Sequence, residues 1–99
     1  MPKKRQFEIG GAVWQWVYRS LRKRGMYGSC NYEAKVVTIC SSLEGIDRLD
    51  TELHEACHAL QWFASEEHTA EVATTLAAIL WDIGYRLPGE HRGEDDKGQ

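Results

Sequence analysis

Ninety-nine residues with a 42% hydrophobic share suffice for one small domain with a single modest core. No apolar run approaches the length of a membrane span, and the opening MPKKRQFEIGG interrupts any leader-like stretch with charge and glycine, so a membrane role is excluded and a soluble, cytoplasmic chain is expected. The net charge of −3 hides an asymmetry, because eight lysines and arginines through Lys35 face only Glu8 and Glu33, and the balance then turns acidic.

Residues 6–20, QFEIGGAVWQWVYRS, predict strand, turn, strand. Phe7 and Ile9 alternate with polar neighbours, Gly10-Gly11 punctuates, and Val13 to Tyr18 is rich in aromatic and β-branched residues. The segment 21–35, LRKRGMYGSCNYEAK, carries two glycines and a charge cluster without a period and reads as a loop. KVVTIC, residues 35–40, is a short third strand. Its position just before the helices suggests an edge on which an extended peptide pairs.

Two helices follow. Asp47, with Asp50 three residues on, is the expected N-terminal cap of the first, and Ile46, Leu49, Leu53, Ala56 and Leu60 form its apolar stripe. Phe63-Ala64 makes a tight connection. Ser65 then caps a second helix that opens with Glu66-Glu67, acids that favour a helix N-terminus. Val72, Leu76, Ile79, Leu80 and Ile83 are its expected buried face and Gly84 its stop. From Pro88 onward, PGEHRGEDDKGQ has nothing to bury and is expected to be a disordered tail. The prediction is a single α+β domain over residues 1–87, a small three-stranded antiparallel sheet followed by two antiparallel helices, with a tail over 88–99.

The segment LDTELHEACHALQW, residues 49–62, contains His54-Glu55-x-x-His58. Histidines four apart on a helix share a face, so two imidazoles there can converge on one metal ion. Glu55 is not a ligand in this reading, but reaches a water in the metal's open position as general base. The bland alternative for a single helical histidine is a surface or core residue with a hydrogen-bond partner. The mid-helix pair, followed by an acidic helix, favours catalytic zinc instead. Cys30, Cys40 and Cys57 are odd in number and form no C-x-x-C pair, which argues against a disulfide scaffold or a metal ribbon.

Catalytic zinc needs a third protein ligand. A third histidine six residues past His58 is absent, since position 64 is alanine. The candidates are Glu66, Glu67, His68 and Glu71 at the start of the second helix. With Leu76 as the core direction, Glu66 lies about 80° to one side and His68 about 80° to the other, whereas Glu67 and Glu71 point away. Glu66 ranks first and Glu67 second, and simple complementation of the helix dipole is the competing role for both.

These residues, together with YGSCNYEAKVVTI before them and SEEH and LAAILWDIGYRL after them, resemble a family of small phage-encoded zinc metallopeptidases. That family carries a short strand, an LDxxxHExxHA helix, an acidic pair about eight residues later and a closing LWxxGYR. The likeness runs from about Gln6 to Leu87. It implies a minimal zincin-like fold, gluzincin-like or SprT-like, with zinc held by two histidines and one acid. The chain departs from the pattern at Ala70, where an acid is frequent, and at Cys57, where an aliphatic residue is usual.

The expectation is therefore a zinc-dependent metallopeptidase acting on a peptide or protein substrate, with His54, His58 and Glu66 or Glu67 on the metal and Glu55 as base. Tyr27 and Tyr32 stand in the adjoining loop, where aromatic packing is the expected role and an oxyanion contact the alternative. Two other readings are carried: an inactive zinc-binding docking module, and a DNA-associated SprT-like protease whose Arg19, Arg22, Lys23 and Arg24 make weak nucleic-acid contact.

Overall fold

The computed structural model describes residues 4–89; the expected tail lies outside them from residue 90 on. Strands β1 (Lys4–Ile9) and β2 (Ala12–Arg19) form a hairpin across Gly10-Gly11, both glycines at positive φ. A single 3-10 turn over Arg22–Arg24 leads to β3 (Gly28–Asn31), and β4 (Val36–Cys40) follows. Helices α1 (Gly45–Leu60) and α2 (Glu66–Ile83) complete the chain. Among the described residues no helix is long and apolar enough to cross a membrane.

The α+β class is as expected, but the sheet is four-stranded and mixed, not three-stranded and antiparallel. Its order is β1-β2-β4-β3, with β2 and β4 parallel. The added strand, β3, lies in the segment that reads as a loop. Gly28, Ser29 and Asn31 are poor strand formers. They are extended because β3 pairs antiparallel with β4 across a short turn, in which the Asn31 side chain accepts a hydrogen bond from the Ala34 N–H at 2.9 Å. Insertion of β4 between β2 and β3 then makes β2 and β4 parallel. It also makes β4 an interior strand, so the free edge expected at residues 35–40 belongs to β3 instead.

Alternation along β2 sends Trp14, Trp16 and Tyr18 to one face, where they are buried with Val37, Ile39 and Ala59 of α1. The register sets Cys30 opposite Val37 and Gly28 opposite Ile39, in line with Trp16 and Tyr18. Gly28 and Cys30 therefore lie on the sheet face that α1 covers. Tyr18 adds a polar tie, its hydroxyl donating to the Glu52 carboxylate at 3.1 Å while Arg48 Nε donates to the same group at 2.9 Å.

Helix α1 begins two residues earlier than Asp47 and has Glu44 at its N-cap position, without a side-chain cap bond. Asp47 instead sits in the first turn, where its charge favours the dipole. The residues α1 buries are Thr51, Glu55 and Ala59, four apart, whereas Ile46 and Leu60 of the expected stripe are exposed. Helix α2 has the expected ends: Ser65 Oγ accepts from the His68 N–H, and Gly84 closes the helix in the left-handed region.

The buried face of α2 differs from expectation. Thr69, Ala73 and Ala77 are buried, and Leu76, Ile79 and Ile83 are exposed. Small side chains let two helix backbones approach closely, and α2 packs chiefly on α1, so its large apolar residues meet solvent. The helices run antiparallel, since His58 meets Glu66 at one end and Asp50 meets Thr74 further along.

Candidate metal centre

The antiparallel pairing brings the C-terminal half of α1 beside the first turn of α2. His54 and His58, one turn apart, direct Nε2 atoms toward each other at 3.1 Å. Glu66 bridges them: its Oε2 lies 3.0 Å from His54 Nε2 and its Oε1 2.9 Å from His58 Nε2. One ligand atom from each residue falls within 4.8 Å of the others, and among the described residues no other such group of three is present.

This donor set fits zinc. Ligands about 2.0–2.1 Å from a tetrahedral ion lie about 3.3 Å from one another. The two imidazole nitrogens lie 3.1 Å apart and each is 2.9 or 3.0 Å from a different Glu66 oxygen. With one ligand atom taken from each residue, all three lie within 4.8 Å of one another, a group that could hold one ion. Three protein donors also leave a fourth position open, the arrangement of catalytic sites rather than closed structural ones.

Glu66 is the acid that the structure brings to the histidines, and Glu67 is not in the cluster. The physical reason corrects the phase on which the two were ranked. With the buried direction at Ala73, Glu66 lies only about 20° away and Glu67 about 120° away. His68 and Glu71 are exposed and also remain outside the group.

Glu55 is buried, 7% exposed, and lines the same cleft. Among the described residues no hydrogen bond reaches its carboxylate. Burial pushes it up to about 7; the charge of Glu66 acts in the same direction, and His54 opposes both. Gly28 explains how the carboxylate fits there. A Cβ at that position would stand 3.0 Å from the Thr38 carbonyl oxygen, 3.0 Å from Thr51 Cγ2 and 3.1 Å from Glu55 Oε2. The bare backbone of β3 is what lets α1 settle so close to the sheet.

The cleft, about 640 Å³, is lined by β3 and its flanks, by α1 and by the first half of α2. Tyr27 and Tyr32 both line it. Tyr32 also packs edge-on against Trp14, with ring centroids 6.1 Å apart, so it combines the packing role with a place in the cleft. Burial, then the neighbouring Cys30 and Glu55, raise the Tyr32 phenol above its ordinary range. Cys30, half-buried beside it, is pushed up to about 11, first by burial and then by the charge of Glu55, and is a neutral thiol at physiological pH.

Sequence reasoning missed Gly28, Cys30, Asp47 and Asp50 as cleft residues. Asp50 was findable, because it lies four residues before His54 and hence on the same helix face. Gly28 and Cys30 were not, since their placement depends on a strand that local propensity does not announce. Arg19, Arg22, Lys23 and Arg24 are exposed, at the end of β2 and in the 3-10 turn. None of the four lines the cleft.

No protein-family model, no curated protein and no solved structure matches this chain.

Proposed function

We propose that this protein is a zinc-dependent metallopeptidase of minimal zincin-like build, in which His54, His58 and Glu66 hold the ion and Glu55 is the general base. The observation that carries the reading is the convergence of two imidazole nitrogens and one carboxylate from two helices to within 4.8 Å of one another. When bound, zinc supplies a Lewis acid that polarises a carbonyl and acidifies water.

The chain's own residues supply the rest. Glu55 accepts a proton at its carboxylate oxygen and returns it to the departing amine. Its burial raises the basicity of its carboxylate in the metal-free chain. The Tyr32 hydroxyl, held against Trp14, is a donor for an oxygen that gains negative charge. The edge of β3 offers unpaired backbone groups to an extended peptide, which fits a peptide substrate better than a compact small molecule. Two histidines and a carboxylate also serve iron enzymes. A buried carboxylate beside the donors, with no role as ligand, favours hydrolysis.

The test is a paired assay on wild type and Glu55→Gln, reading metal content by mass spectrometry and cleavage of a diverse peptide library. Expected are about one zinc per chain in both forms, and a loss of hydrolysis by a few orders of magnitude in the variant. Wild type that is zinc-loaded but cuts nothing would select the docking-module reading. Iron in place of zinc would overturn the hydrolytic one.

A further inference from the structure

Helix α2 buries one line of small residues, Thr69, Ala73 and Ala77, and leaves its larger apolar side chains outside. Val72, Leu76, Ile79 and Ile83 follow one another at intervals of four, three and four residues. That spacing holds them on a single face, about 90° round the helix from Ala73. Leu76, Ile79 and Ile83 are 40%, 49% and 66% exposed. Thr74, which lines the cleft, lies about 170° round from the same face, so a partner seated there leaves the cleft open.

The chemistry of the face narrows what covers it. Intervals that alternate between three and four are those of a coiled-coil seam, which is covered by another helix. The four acids of α2, Glu66, Glu67, Glu71 and Asp82, stand with no lysine or arginine in the helix, and an anionic lipid surface would repel them. The spacing also reads the same in both directions. A copy of α2 laid antiparallel sets Leu76 against Ile79 and Val72 against Ile83, so every large side chain of the face meets another across a two-fold axis. In that arrangement the N-terminal acids of the two copies lie at opposite ends of the pair, and Asp82 falls between His68 and Thr75 of the second copy. Parallel pairing would instead set like acids side by side, which is unfavourable.

The exposed area also suits a pair of whole molecules. Trp62 and Phe63, edge-on to each other at 5.9 Å, are 70% and 72% exposed at the turn that leads into α2. The reversed copy brings its own exposed Tyr85 toward that turn. With Leu76, Ile79 and Ile83, these three residues leave roughly 700 Å² of large apolar side chain uncovered, close to the ~800 Å² that each partner contributes to a standard interface.

We propose that this chain forms a symmetric dimer through α2, the two copies packing antiparallel about the Leu76–Ile79 pair. The proposal takes nothing from the metal centre or from the peptidase reading.

Sedimentation of the full chain tests it. Wild type should pass from monomer to dimer between about 1 and 200 µM, with a Kd of about 1–50 µM. Leu76→Glu combined with Ile79→Glu should weaken the dimer at least about a hundredfold, with urea unfolding to check that the variant stays folded. Val13→Glu, at an exposed position of the sheet, should leave Kd unchanged. Cross-linking reads the register without introducing charge. Under mild oxidation, Val72→Cys and Ile83→Cys chains should link to each other when mixed, and neither alone should link more than wild type. Wild type that is still monomeric at about 200 µM would overturn the dimer and leave the face to a different protein. A dimer that survives the double substitution, or one lost equally in Val13→Glu, would overturn the interface. Val72→Cys linking to itself and Ile83→Cys to itself would mean a parallel pair and overturn the arrangement.

Discussion

Glu66 owes its position to a helix face made of small residues. It is largely solvent-exposed, yet it bridges both histidines, because the first turn of α2 emerges on the side that Ala73 and Ala77 press against α1. On the proposed reading, removing it deletes a ligand, whereas Glu67 only complements the dipole. Glu66→Ala should weaken zinc affinity by about a hundredfold or more, and Glu67→Ala by less than about threefold, as read by competition with a fluorescent chelator. The shared face of His54 and His58 was legible in the sequence because four-residue spacing is a local property of a helix. Glu66 was favoured there from a mistaken core direction, and the true direction favours it more strongly. What the sequence concealed is that alanine and threonine, not leucine and isoleucine, would mark the contact. Hydrophobicity ranks side chains by transfer energy, but close helix packing ranks them by size.

Among the elements, β3 was the least legible. The hairpin around Gly10-Gly11, strand β4 and both ends of α2 follow from alternation, turn residues and capping, all short-range signals. Gly28-Ser29-Cys30-Asn31 has no such signal, and it becomes a strand only through pairing with β4 and the cover of α1. The glycine that weakens its propensity is the residue the packing needs. Gly28→Ala would place a methyl 3.0 Å from a backbone oxygen that cannot move aside. The variant should lose about 1–3 kcal/mol in urea unfolding and, on the proposed peptidase reading, lose hydrolytic rate as well, because α1 carries both Glu55 and the histidines. A stable Gly28→Ala protein with wild-type turnover would show that α1 shifts freely over the sheet.

Taken whole, the molecule is a sheet covered on one face by α1, with α2 laid chiefly against α1. The aromatic core of Trp14, Trp16 and Tyr18 secures α1. Helix α2 instead depends on small-residue contacts, the Asp50–Thr74 bond and the Glu66 cluster. Metal should therefore stabilise α2 more than the rest. On chelation, amide exchange should accelerate most in Glu66–Ile83, while β2 and β4 keep their protection. Uniform loss of protection would mean that the two helices open together with the sheet.

The donors are close in sequence: His54 and His58 are four apart, and Glu66 follows eight residues after His58. A chelate so local is complete once the helical hairpin has formed, before β1 or β3 has found its place. On the proposed reading its closure costs little chain entropy, so an ion would be able to bind a partly folded chain. Zinc should then act on the rate of folding and not only on the rate of unfolding. In stopped-flow experiments micromolar zinc should speed refolding of wild type and leave the Glu66→Ala variant unchanged. If zinc slowed unfolding alone, the hairpin would have to be assembled only after the main barrier had been crossed.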